Sequence, residues 1–299
     1  MTPQKPKTLS KIKFIKQMIT TLILIYLTFA IIIYTQVEKL IFLPPPSTYQ
    51  DTEEIIKLTS EDGTKLSAIY LSNPEAKYTI LHAHGNASDL GMIKPRMEQL
   101  RDIGLNVLAY DYRGYGTSEG QPSEQNAYKD IDTAYKYLTQ ELKIPPEKII
   151  LFGRSVGGGS TIDLAIRKPV AGLITESTFT SIFKVKVPIK ILPFDKFNNL
   201  KKIFQVKCPV LIMHGKMDEV VPFYHGVKLF KQAPEPKLFL CVEDGNHNNF
   251  PYAAGENYTN ILKDFIELVD NTTLYNTNLN PLLTPLSLIR RGAGGEVFQ

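Results

Sequence analysis

Lys148-Ile149-Ile150-Leu151-Phe152-Gly153-Arg154-Ser155-Val156-Gly157-Gly158-Gly159-Ser160-Thr161-Ile162 is the stretch on which the fold turns. A run of large apolar residues ends at a glycine, and a serine follows between two glycines. Small residues then lead into a helical pattern. The order strand, sharp turn, helix is what a G-x-S-x-G nucleophile turn needs, because flanking glycines relieve clashes around a serine on strained backbone. Gly116-Thr117-Ser118-Glu119-Gly120 fits the same pattern, but Gly120-Gln121-Pro122 continues it as a loop. Ser155 is therefore the expected nucleophile and Ser118 a decoy.

Outward from this turn, short apolar runs alternate with longer amphipathic ones. Strands are expected at 65–71, 79–84, 106–110, 148–152, 172–175, 210–213 and 237–242. Helices are expected at 92–103, 123–142, 160–168, 223–232 and 252–269, the second with Ser123 as its N-cap. Such alternation predicts an α/β fold: a mostly parallel sheet with helices on both faces. Residues 51–270 suit one domain. The stretch 177–209, with Pro188 and Pro193 and no clear period, reads as a short insertion or lid.

The chain has 299 residues, 43% of them hydrophobic, which excludes disorder as its main state. Its net charge of +4 comes from the N-terminus, for residues 1–43 hold six Lys and one Glu while the remainder is nearly neutral. A nucleic-acid surface is not expected. Residues 18–37 carry no formal charge, enough helix to cross a bilayer, and follow the basic 1–17 segment. The positive-inside bias predicts a cytoplasmic N-terminus, a retained transmembrane anchor and an exported body. The apolar run is too long for a cleaved signal peptide and lacks a small-residue cleavage site. A Pro-rich linker is expected at 38–50 and a disordered tail at 271–299.

In a parallel sheet the site lies beyond the carboxyl ends of the strands. A serine hydroxyl needs a base, and the base an orienting acid. His247, in the polar loop Glu243-Asp244-Gly245-Asn246-His247 after the last strand, is the expected base. His225 reads instead as a packed or solvated helix residue. Asp218, in His214-Gly215-Lys216-Met217-Asp218, is the expected acid, with Glu176 its competitor. Backbone amides of Val156 and Asn86 are expected to form the oxyanion hole. Asp111 is expected to pin the loop of Arg113-Gly114-Tyr115-Gly116. Phe179, Ile182, Phe183, Ile191, Leu192 and Phe194 line an acyl pocket or pack as core, with core favoured.

Rival readings are weaker. Gly153-x-x-x-Gly157-x-Gly159 has some dinucleotide character, but several strands precede it and it leaves Asp218 and His247 idle. His82-Ala83-His84 has no further metal ligand at short spacing, so neither cofactor nor metal is expected. Cys208 and Cys241 are expected as buried free thiols. A peptidase on the same scaffold and a non-catalytic, membrane-tethered binding protein remain as alternatives.

Taken together, His84-Gly85-Asn86-Ala87, Asp111-Tyr112-Arg113-Gly114-Tyr115-Gly116, Gly153-Arg154-Ser155-Val156-Gly157, Cys208-Pro209-Val210-Leu211-Ile212-Met213-His214-Gly215 and Gly245-Asn246-His247 resemble the α/β-hydrolase superfamily. More narrowly, the chain is similar to single-pass membrane α/β-hydrolase-domain serine hydrolases, whose relatives include protein depalmitoylating thioesterases. The resemblance implies the α/β-hydrolase fold and a Ser155–Asp218–His247 triad; with the tether, the expected activity is hydrolysis of an ester or thioester of an acyl or lipid-like substrate.

Overall fold

The computed structural model describes residues 7–186 and 191–278. The chain divides into two units, residues 1–41 and 42–299. The first is a single helix, α1 (Lys7–Ile41), with no acid in its first turn and Lys39 in its last. Its segment Lys11–Ile41 has a mean hydropathy of 2.2 and is long and apolar enough to cross a membrane. At ~1.5 Å per residue even the uncharged 18–37 core matches a bilayer of roughly 30 Å. Leu22, Leu24, Ile25 and Ile31 are all exposed.

The second unit is built on eight strands. These are β1 (Ile56–Thr59), β2 (Lys65–Leu71), β3 (Thr79–Ala83), β4 (Asn106–Tyr110), β5 (Ile149–Arg154), β6 (Gly172–Glu176), β7 (Val210–Gly215) and β8 (Lys237–Val242), in the order β1-β2-β4-β3-β5-β6-β7-β8. β1 and β2 pair antiparallel, as do β2 and β4, and every later pairing is parallel. This is the arrangement of the α/β-hydrolase fold. The short β1, with one buried residue in four, carries too little alternation to be read from sequence.

Helices are α2 (Leu90–Asp102), α3 (Glu124–Lys136), α4 (Gly157–Arg167), α5 (Ile182–Lys186), α6 (Tyr224–Gln232), α7 (Phe250–Ala254) and α8 (Glu256–Asn278). The N-cap of α3 is Ser123, whose hydroxyl accepts from the Asn126 amide at 3.1 Å. Side chains alternate across the pleat, so each strand feeds two layers. Ile80, Val107, Ile150, Phe152, Ile174, Leu211 and Met213 pack in one cluster with Met97 and Leu100 of α2, Phe250 of α7 and Leu262 and Phe265 of α8. Intervening Leu81, Leu108, Leu151 and Leu173 are equally buried, and the opposite face is covered by α3 and α4, as a layered core requires.

Two readings of the chain's segments change. The C-terminal helix breaks at Gly255, where φ is +52°, and then runs to Asn278, into the stretch expected to be tail. Residues 279–299 lie outside the described ones. Residues 42–49, expected within the Pro-rich linker, bond to the α/β unit. The Thr48 amide and hydroxyl donate to Asp89 at 2.6 and 2.5 Å, and the Tyr49 hydroxyl donates to Asp111 at 2.5 Å. The 177–209 segment holds α5 and two single turns of 3-10 helix at Asn199–Lys201 and Ile203–Gln205.

The loop after β4 is pinned by Asp130 of α3 rather than by Asp111. Arg113 donates from its backbone amide and Nε to Asp130 at 3.0 and 2.7 Å, and from Nη1 and Nη2 to Asp62 and Ser60. Asp130 is fully buried and Arg113 nearly so. Removing the cation strands a buried carboxylate, which typically costs ~3–5 kcal/mol. Arg113→Ala is therefore expected to lower the thermal midpoint by roughly 10 °C. The pair replacement Arg113→Met with Asp130→Leu should lose much less. Thermal unfolding of the three proteins in detergent checks this, and equal losses would contradict it.

Candidate active site

Ser155 sits at the end of β5, the strand between β3 and β6, with φ at +51°. Only strong local constraint keeps a non-glycine residue there, at a cost of order 1–3 kcal/mol. The Ser155 amide donates to the Glu176 carbonyl at 2.8 Å, and the Gly158 amide donates to the Ser155 carbonyl at 3.1 Å. The glycines explain themselves sterically. A Cβ on Gly157 would lie 2.1 Å from the Ala83 carbonyl oxygen, and one on Gly153 would lie 2.6 Å from Gly158 Cα. The first turn of α4 thus presses onto the ends of β3 and β5. Val156, the residue after the serine, stands at the N-terminal end of α4, where helix amides lack intrahelical partners.

Asp218 and His247 come together from the loops after β7 and β8. The His247 ring places Nδ1 2.9 Å from Asp218 Oδ2 and 3.1 Å from Oδ1. Both Asp218 oxygens are acceptors, so Nδ1–H is the donor, and in the neutral ring this tautomer is the one that leaves a lone pair on Nε2. Asp218 Oδ1 also accepts the amides of Val220 and Val221 at 3.0 and 2.7 Å. Burial opposes ionisation of this carboxyl, but the hydrogen bond and charge of His247, the Val221 amide and nearby His214 hold it below the usual carboxylate range.

The competitors are otherwise engaged. His225 is buried, and its Nδ1 accepts the Thr180 amide at 3.1 Å. Burial first, then His214 and Lys228, push its pKa down to about 4, so it is a neutral packing residue. Glu176 is buried against Arg96 and Arg154. Ser118 accepts the Ser67 amide and donates to the Asp111 carbonyl, tying a loop to β2. His82 stacks on Phe152 with ring centroids 5.1 Å apart. Both cysteines are free thiols. Phe179 is buried against Phe197 as core, while Ile191 is half exposed.

The loop after β3 passes beside the serine, since a Cβ on Gly85 would lie 3.5 Å from Ser155 Cβ. Asn86 is held in this loop by its own side chain. Its Oδ1 accepts the Tyr115 hydroxyl at 2.6 Å, the Leu43 amide at 2.9 Å and the Ala87 amide at 3.0 Å. Behind it, His84 Nε2 stands 3.1 Å from Asp111 Oδ1, and the Tyr112 hydroxyl donates to the His84 carbonyl at 2.7 Å. Neither Leu43 nor Arg154 was singled out from the sequence. Leu43 acts through its backbone, which carries no residue-type signal. Arg154 was visible only as the variable position of the serine motif.

Comparison with known proteins agrees with this architecture. Residues 74–204 match the family described as Serine aminopeptidase, S33. The chain is 37% identical over 265 residues to alpha/beta hydrolase domain-containing protein 17B of Xenopus tropicalis, covering 78% of this chain and 91% of the relative. It is 36% identical to the Homo sapiens 17B protein over 265 residues, with the same coverage of 78% and 91%. Among solved structures it is similar to an esterase of Pyrococcus furiosus, with a TM-score of 0.64 and 22% identity over 75% of this chain and 98% of that one. At that identity the structural likeness speaks for the fold, whereas the long alignments to the 17B proteins speak for descent: the chain belongs to the alpha/beta hydrolase domain-containing protein 17 family.

Proposed function

We propose that this chain is a membrane-anchored serine hydrolase that cleaves a carboxylic ester or thioester of an acyl or lipid-like substrate through an acyl-enzyme on Ser155. The observation that carries the reading is the His247–Asp218 hydrogen bond of 2.9 Å, in a loop whose His247 carbonyl accepts from Arg154, the residue before a serine at φ +51°. His247 Nε2 takes the hydroxyl proton as Ser155 Oγ attacks the acyl carbonyl carbon. Negative charge gathers on the carbonyl oxygen, where the amides of Val156 and Asn86 are the proposed donors. Collapse of the intermediate expels the alcohol or thiol, which takes the proton from His247. Water, deprotonated by the same imidazole, then releases the carboxylic acid. Asp218 keeps the Nδ1–H tautomer and stabilises the imidazolium.

The anchor in this reading is α1, with the basic 1–17 segment on the cytoplasmic side and the catalytic body outside. Its lack of formal charge between Met18 and Val37, and the five Lys before it, support that placement. The family description of residues 74–204 as a serine aminopeptidase keeps peptide hydrolysis as the second reading. Both use the same serine and differ only in the leaving group.

Labelling with a fluorophosphonate in detergent is the direct test. Wild type and Ser118→Ala should label, whereas Ser155→Ala should not, and ester turnover should fall at least ~10³-fold in Ser155→Ala. Hydrolysis of thioesters and esters with no cleavage of aminoacyl amides separates the two readings. Folded wild-type protein that never labels would overturn both.

Asp218 adds a linked expectation. Its carboxyl ionises more readily folded than unfolded, so it contributes stability above the ordinary value near ~3.9, and loses it as pH falls through the folded value. Urea unfolding of Asp218→Asn should show a stability gap from wild type that is largest near neutral pH and narrows below about pH 4. A gap independent of pH would contradict this ionisation. At neutral pH the same variant should lose ~10⁴-fold in turnover, because an amide partner no longer fixes the tautomer.

A further inference from the structure

We infer that Arg154, the variable residue beside the nucleophile, is a positioning residue that sets the register of the base loop against the serine. This inference rests on the triad proposed above. The Arg154 side chain is one-fifth exposed and touches three parts of the site. Its Nη2 donates to the His247 carbonyl at 2.6 Å and to Asn248 Oδ1 at 3.1 Å. Nη1 lies over Gly85 of the oxyanion loop, where an added Cβ would come within 2.8 Å of it. Nε faces Glu176 Oε1 at 3.4 Å.

The orientation of this guanidinium is fixed from below. Glu176 ends β6, is wholly buried, and is shared by two cations. Its Oε2 accepts from Arg96 Nη2 of α2 and from the Tyr258 hydroxyl of α8, the latter at 3.3 Å. Arg96 in turn lies over the Tyr258 ring, 4.7 Å from its centroid. One edge of the Arg154 plane therefore meets a carboxylate braced by two helices, and the other holds the loop that carries the base. A planar fork can span both partners, whereas an ammonium is a point donor. Because Arg154 precedes Ser155 in the chain, its grip on the His247 backbone converts the rigidity of the β5 turn into a fixed serine-to-imidazole spacing. A side chain at Gly85 would displace the guanidinium above it.

The test uses the full chain in detergent with p-nitrophenyl butyrate as substrate, and kcat is expressed per serine titrated by fluorophosphonate. Misplacing a catalytic group by about 1 Å costs on the order of 10²-fold. Arg154→Met should therefore lose 10- to 100-fold in kcat with KM within about twofold of wild type. Arg154→Lys should recover only part of this. In a His247→Ala background, where the residual rate is expressed per mole of folded protein because the serine no longer titrates, Arg154→Met should cost nothing further, since it acts through that imidazole. Additive losses, or a kcat per titrated serine within twofold of wild type, would overturn the inference. Should Arg154→Met fail to fold, Glu176→Gln reads the same brace, with a loss of kcat that likewise vanishes in His247→Ala. If His247→Ala itself turns over normally, the triad reading fails instead, so the two failures are distinct.

Discussion

The close seating of α4 on the ends of β3 and β5 is the constraint from which the rest of the site follows. Gly157 lies so near the Ala83 and His84 carbonyls that no side chain fits between them. That approach forces the chain to turn within one residue, and Ser155 takes the left-handed conformation in consequence. The strain is small against the stability of a packed domain, and the surrounding sheet over-determines it. A serine on such a turn projects beyond the strand ends, where a parallel sheet gathers its loops.

Around that turn the site is assembled from segments far apart in sequence, each tied by its own hydrogen bonds. The β7 loop presents Asp218, fixed by amides of Val220 and Val221. The β8 loop presents His247, whose ring is held by Asp218 and whose backbone is held by Arg154. The β3 loop is clamped through Asn86, Tyr115 and the Leu43 amide. Leu43 stands two residues after the end of α1, so the first residues beyond the apolar helix already belong to the second unit.

Buried charge is handled in two ways. Arg113 and Asp130 form a self-contained pair with Asp62 and Ser60, which fixes one loop. Glu176 with Arg96 and Arg154 is instead a shared anion whose second cation reaches the site. Both are costly to break from one side, because the partner left behind remains out of water. Only the second is bonded onward to the loop of His247, through the Arg154 guanidinium.

From sequence alone, the alternation of apolar strands and amphipathic helices settled the fold class, since strand period and helix period are local properties of the chain. The same local logic located Ser155 between its glycines, Asp218 and His247 after their strands, and α1 as an uncharged run behind five lysines. Local patterns were insufficient for β1 and for the attachment of residues 42–49, because each is stabilised by distant partners. Likewise Asp111 and Asp130 look alike as sequence, and only the packing of α3 against the β4 loop assigns Arg113 to Asp130. Arg154 was legible as a position and not as a role. Its guanidinium has meaning only once the β3 loop, the end of β6 and the β8 loop converge on it, and that convergence is decided by sheet order, which no local period encodes.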